Sequence, residues 1–301
     1  MVALSLLLAL AIANHPAPPI RATQYITSYL PGREEDARVA GIAWRLATAA
    51  RVRCSQLEPA SGLVLQHLSQ FQLADRVRIA TRLPLERGPG VTAVVSGSPA
   101  AAAAIHAGDV LLSIDDTALP AEPDLDRPFD AVRAHTRADA IADLLQTARR
   151  VTLLRHGETF KRNLAPVPAC ASRVHLARST QRNAFADGRH VFLTTGMLTH
   201  LRNDDELAFL IAHEMAHNVL GHAAQMREGS LGRRGVRALE RAADLFGAEM
   251  MLDAGYDPIA GAALLARIGG SNLGITLFAK HEPVAKRLAA IRTLVKRHTQ
   301  P

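Results

Sequence analysis

The sequence predicts an α+β chain, a mainly helical body with a small edge sheet that is interrupted by a small α/β insert. Three observations predict it. Apolar runs bounded by helix-start and helix-stop residues occupy 204–218 and 236–254. From about Gly62 to Pro168 the pattern changes to short Val/Ile/Leu strands punctuated by Gly, Pro and Asp. The only two cysteines, Cys54 and Cys170, bracket that segment. A chain of 301 residues allows roughly two domains.

Val2 to Ala13 is an unbroken apolar run, too short for the roughly twenty residues a bilayer span needs. It reads as the apolar core of a secretory signal, with Ala11-Ile12-Ala13 as cleavage site before Asn14. No Lys or Arg precedes the run, so an N-terminal core helix is the alternative. The expectation is a signal peptide over 1–13 and a periplasmic, secreted or membrane-associated product without a transmembrane span. Residues 14–60 then hold a Pro-rich leader and a first helix. In Arg33 to Cys54, Val39, Ile42, Ala43, Leu46 and Ala50 form one apolar stripe, with Trp44 off it.

The insert covers 61–168. Val91 to Val95 reads as a strand, Ser96-Gly97-Ser98-Pro99-Ala100 as a turn into a short helix reaching His106, and Val110 to Ile114 as a second strand. Val151 to Phe160 closes the insert as a hairpin. In an oxidising compartment Cys54 and Cys170 would be free to form a bridge; two separate buried thiols are the alternative.

Residues 169–301 carry the chemistry. Strand-like pieces occupy Val174 to Leu198, the best being Val191 to Thr195, and Asn183 to Gly188 leads into a hairpin. One of these segments is expected to offer a sheet edge to an extended substrate. Asn203, three positions before Glu206, is a helix-start signature, and Asp204, Asp205 and Glu206 suit the positive end of a helix dipole. The helix that follows contains His213-Glu214-Met215-Ala216-His217. Residues four apart share a helix face, so both imidazoles can aim at one point, and Glu214 sits about 100° round the axis. Two imidazole ligands and one adjacent base are what a zinc hydrolase needs. In so apolar a run these groups are costly to bury unless something pairs with them.

A catalytic zinc takes three protein ligands. The second helix, Val236 to Ala254 and stopped by Gly255, offers Glu240 and Asp244 on one face. Glu240 reads as the third ligand and Asp244 as the carboxylate that orients a ligating His; the plainer reading is two exposed charges paired with Arg237 and Arg241. Gln225 to Gly235 reads as a polar link between the helices, and His222 as structural rather than a ligand. Asp257-Pro258 and Pro283 start the last two helices. Net charge is +7, yet only four of the 35 basic residues are Lys, and the Arg are scattered with few aromatics between them. That pattern speaks against nucleic-acid binding. No G-x-S-x-G is present, which excludes a serine-hydrolase elbow.

In order along the chain, Asn183-Ala184-Phe185-Ala186, Thr195-Gly196-Met197-Leu198, Glu206-Leu207-Ala208, the H-E-x-x-H stretch, Glu240-Arg241-Ala242-Ala243-Asp244, Ala254-Gly255-Tyr256-Asp257-Pro258 and His281-Glu282-Pro283 with Arg287 resemble the HtpX/BepA-type gluzincin metallopeptidases. The resemblance implies a zincin-type metallopeptidase domain holding one Zn2+ through His213, His217 and Glu240. It implies Glu214 as general base and Asp244 behind the ligands. His281 would lie near the metal, stabilising an oxyanion or blocking the site at rest. Phe278-Ala279-Lys280-His281 departs from the family's Ser-Thr-His-Pro, and Ala242 stands where a Glu is frequent. The insert, through Gly97-Ser98-Pro99-Ala100 and Ala107-Gly108-Asp109-Val110-Leu111, resembles a bacterial PDZ domain, which implies an extended peptide ligand. Together these imply an exported zinc endopeptidase acting on polypeptides, with envelope protein quality control as its setting. The alternatives are a peptide-binding or chaperone protein whose zinc site is structural or inactive, and a PDZ adaptor with a degenerate peptidase fold.

Overall fold

The computed structural model describes residues 34–119, 126–229, 231–268 and 283–300. The chain divides into two compact units, one built from Ile42–Glu58 and the described part of Ala169–Pro301, the other from Pro59–Pro168 with the described residues before Ile42. The expected signal peptide lies outside the described residues. Among those described, no helix is long and apolar enough to cross a membrane.

Helix α1 (Glu34–Ala49) begins with Glu34, Glu35 and Asp36 in its first turn, which suits the helix dipole. It buries Val39, Ile42 and Leu46 and tightens into a 3-10 turn over Ala50–Arg53. Strands β1 (Leu57–Ala60), β2 (Leu63–Gln66), helix α2 (Leu73–Ala80), β3 (Gly90–Val94), helix α3 (Pro99–Ala102), β4 (Val110–Ile114), β5 (Thr117–Ala118), helix α4 (Ala131–Gln146), β6 (Arg150–Arg155), β7 (Glu158–Asn163) and β8 (Val167–Cys170) follow. The sheet runs β2-β3-β4-β6-β7, with β5 paired to β4. Its core is Val91, Leu111, Val151 and Leu153 packed with Ile141 and Leu145 of α4. Ser98 caps α3 by accepting from the Ala101 N–H, with Pro99 at the first helical position, and Asp130 caps α4 by accepting from Arg133. Helix α3 is shorter than the sequence suggests, because Ala104 turns into the left-handed region at φ 53°. The β6–β7 hairpin turns on His156 and Gly157, both at positive φ, a pair of conformations that matches strand twist.

β1 pairs with β8, and Cys54 and Cys170 form a disulfide with Cα atoms 5.5 Å apart. Strands β9 (Arg173–Ala177), β10 (Ala184–Ala186) and β11 (His190–Thr194) then form a three-stranded sheet in the order β10-β11-β9, antiparallel and then parallel. Ala184, Val191 and Leu193 are its buried apolar residues, and β10 is an edge.

The remaining elements are α5 (Thr195–Leu198), α6 (Asp204–Val219), α7 (His222–Arg227), α8 (Arg233–Asp253), α9 (Pro258–Ile268) and α10 (Val284–Thr299). Helix α6 is buried on every side from Glu206 to Asn218, as expected of a helix that is apolar all round. Asn203 accepts from the Glu206 N–H at 2.9 Å, while the Glu206 carboxylate reaches back to the Arg202 N–H and pairs with Arg267 of α9. The polar link expected over Gln225 to Gly235 is shorter than that. Helix α7 takes its first part and α8 already includes Gly235. Helix α8 crosses α6 at Gly247, where an added Cβ would lie 3.1 Å from the Ala212 carbonyl carbon and the His213 nitrogen. It stops at Gly255, at φ +71°.

Candidate metal centre

The crossing of α6 and α8 sets the site. Gly247 lets the two backbones approach at Ala212 and His213, and Asp244 and Glu240 lie about one and two turns back along α8. His213 and His217, one turn apart on α6, place their Nε2 atoms 3.1 Å from each other. The Glu240 carboxylate faces both, Oε2 3.7 Å from His213 Nε2 and Oε1 3.6 Å from His217 Nε2. One ligand atom from each of the three lies within 4.8 Å of the others. All three side chains are buried.

The outer ring nitrogens are also held. His213 Nδ1 lies 3.1 Å from Asp244 Oδ1 and donates to it, which turns the Nε2 lone pair inward. Arg287 of α10 clamps Asp244 with two hydrogen bonds, Nε to Oδ2 at 2.5 Å and a terminal nitrogen to Oδ1 at 2.6 Å. His217 Nδ1 lies 3.0 Å from His222 Nδ1. Asn218, next along α6, accepts from the Gly188 N–H and donates to Ser172, tying the helix to the β10–β11 hairpin.

Electrostatics follow from this burial. Burial would lower the His213 pKa, but the hydrogen bond and charge of Asp244, aided by Glu240, raise it overall. Burial works to raise Asp244, and Arg287 and His213 outweigh it, so its pKa falls. His217 is pushed down to about 2, first by burial and then by the neighbouring His213 charge. His222 goes down to about 4 for the same two reasons. Glu214, 1% exposed, has no hydrogen-bond partner for either carboxylate oxygen among the described residues, and burial pushes it up to about 7. The Ala186 main chain of edge strand β10 is close enough to oppose that rise.

A divalent cation fits this set. Two imidazoles and a carboxylate are the donor types of catalytic zinc sites. Glu214 and Glu240 are buried carboxylates, and a doubly charged ion offsets the cost of burying them. His281, expected beside the metal, lies outside the described residues. Sequence reasoning gave Arg287 no role of its own and read His222 as structural. Arg287 was visible only as part of a motif, one Arg among many, and nothing in the sequence marked it as buried. His222 was visible only as a histidine five residues past His217.

Two helices presenting H-E-x-x-H and Glu240 to one point define the class of a metal-dependent hydrolase. Residues 159–234 match the family model of Peptidase family M48. That match supports a zinc metallopeptidase, and it ends before Glu240 and Asp244, whose place rests on the geometry above. No curated protein matches the chain.

Proposed function

We propose that this chain is an exported zinc endopeptidase that hydrolyses peptide bonds in polypeptides, with His213, His217 and Glu240 as metal ligands and Glu214 as general base. The observation that carries the reading is the convergence of those three ligand atoms within 4.8 Å, with the buried Glu214 carboxylate on the next residue of the same helix. A zinc ion bound there would supply Lewis acidity, acidifying water and polarising a carbonyl.

The chain's own residues do the rest. Glu214 sits one residue after a ligand, on the flank of the shared face, and takes the proton of the attacking water. It then delivers that proton to the leaving amine. With little besides the Ala186 main chain near its oxygens among the described residues, this carboxylate is available to receive and return the proton. Asp244 and Arg287 hold the His213 ring in register. Edge strand β10, whose Ala186 backbone approaches Glu214, is the surface along which an extended substrate adds as a strand.

The reading of the other unit is PDZ-like recruitment of peptides. Its support is that β2 ends the sheet, leaving one edge of backbone groups available, and that Leu63 and Leu65 of β2 pack with the core that α4 completes. Export and a role in envelope protein quality control belong to the same proposal and rest on the N-terminal sequence pattern and the resemblance.

The test is Glu214→Gln. Metal content should stay at the wild-type level, and hydrolysis of a casein-type substrate should fall by at least about 100-fold. Undiminished turnover would end the assignment. No turnover even in metal-loaded wild type would favour a binding protein with a structural zinc.

A further inference from the structure

The αα turn after the H-E-x-x-H helix places a third histidine against the outer side of the second ligand. We propose that His222 is a positioning residue for His217: its Nδ1 accepts the Nδ1 proton of His217 and so holds the Nε2 lone pair of that ring toward His213 and Glu240. The inference rests on the metal-centre reading above and adds to it a residue that sequence reasoning treated as structural.

In a continuous α-helix, residue i+5 lies about 140° round the axis from residue i, so His222 would point away from His217. The helix does not continue. Leu220 closes α6, Gly221 takes the left-handed conformation at φ +67°, and His222 opens α7. The Gly221 N–H still bonds to the Asn218 carbonyl, so the reversal is tight. It brings His222 back against His217, with Nδ1 atoms 3.0 Å apart and ring planes at 78°. His222 is 2% exposed, so water is not at hand to replace it as acceptor.

The chemistry requires such a partner. A neutral imidazole that offers Nε2 to a cation carries its proton on Nδ1. In a buried site that proton needs an acceptor, because water is not there to replace a missing partner. Asp244 fills the role for His213. For His217 the atom in place is His222 Nδ1. The two ligand rings are thus held by unlike acceptors, a carboxylate and a neutral imidazole, so the site gains orientation at His217 without a further buried charge.

The experiment uses the full chain and zinc alone, with His222→Ala and His222→Asn. Asn places its Oδ1 where His222 Nδ1 stands and can accept the same proton. Zinc affinity by chelator competition should fall about 10–100-fold in His222→Ala and be largely restored in His222→Asn. Nitrogen NMR of the imidazoles in zinc-loaded wild type should show the His217 proton on Nδ1. Wild-type zinc affinity in folded His222→Ala would overturn the proposal, as would a His217 proton on Nε2. Should His222→Ala not fold, His222→Asn decides: near-wild-type affinity supports the proposal, and a loss overturns it. A wild-type chain that takes up no zinc would overturn the metal-centre reading itself, and this inference with it.

Discussion

At the scale of single residues, the centre depends on side chains that stand behind the candidate ligands. Arg287 satisfies both oxygens of Asp244 in a buried setting. Removing one member of such a pair leaves an uncompensated charge, which costs about 3–5 kcal/mol. Arg287→Gln should therefore lower stability by that order in urea unfolding. It should also weaken zinc binding, because His213 loses the fixed carboxylate that orients it. Unchanged stability and affinity would show that Arg287 does not hold Asp244 in solution. In the other unit, His67 is buried and its pKa is pushed from the ordinary 6.5 down to about 3, first by burial and then by the Arg137 charge, with Arg76 adding to it. The folded state keeps this ring neutral while the unfolded chain takes up a proton below pH 6.5. Between pH 6.5 and 3 the unfolded state thus binds more protons, and stability is lost as pH falls through that window. The loss amounts to roughly 5 kcal/mol over the whole window. Hydrogen exchange of β3 and β6 in the full chain should show that slope, and His67→Gln should flatten it; an equal slope in the variant would assign it to other groups.

At the scale of elements, the decisive feature is how closely two helices cross. The small residues of α8 at Ala243, Gly247 and Ala248 face inward, and the space at Gly247 is closed by backbone atoms of α6 rather than by movable side chains. Gly247→Val should cost about 1–3 kcal/mol through overpacking. It should also weaken zinc binding, since any separation of the helices moves Glu240 away from both imidazoles. Gly41 on α1 has nothing within 4 Å of an added Cβ, so Gly41→Ala is the matched control and should leave zinc binding unchanged. Zinc titration of both variants checks the pair, and an unaffected Gly247→Val would mean that the crossing tolerates the added bulk.

The same crossing shows what the sequence could convey. The spacing of His213 and His217, the Asn203 cap, the stop at Gly255 and the helix starts at Pro258 and Pro283 are local signals, because each acts within a turn or two of chain. Placing Glu240 opposite the histidines is a tertiary fact, and the H-E-x-x-H chemistry pointed to it only by asking for a third ligand. The clamp from Arg287 and the contact from His222 were beyond local reasoning. One depends on α10 packing over α8, and the other on a left-handed glycine that turns an i, i+5 pair face to face. The extent of α3 was misjudged because Ala104 adopts positive φ, which an Ala-rich run does not advertise.

At the scale of the whole molecule, the disulfide joins the end of the 3-10 turn after α1 to the strand by which the chain returns from its insert, across 116 residues of sequence. The metal-centre residues all lie in the unit that this disulfide belongs to. The account as a whole stands on one ion held between α6 and α8. Anomalous diffraction at the zinc edge from zinc-loaded crystals tests that most directly. The account predicts one strong peak per chain, bounded by His213 Nε2, His217 Nε2 and the Glu240 carboxylate, and no such peak in Glu240→Ala at the same zinc concentration. A wild-type map with no peak between those three side chains, or with its peak elsewhere in the chain, would contradict it.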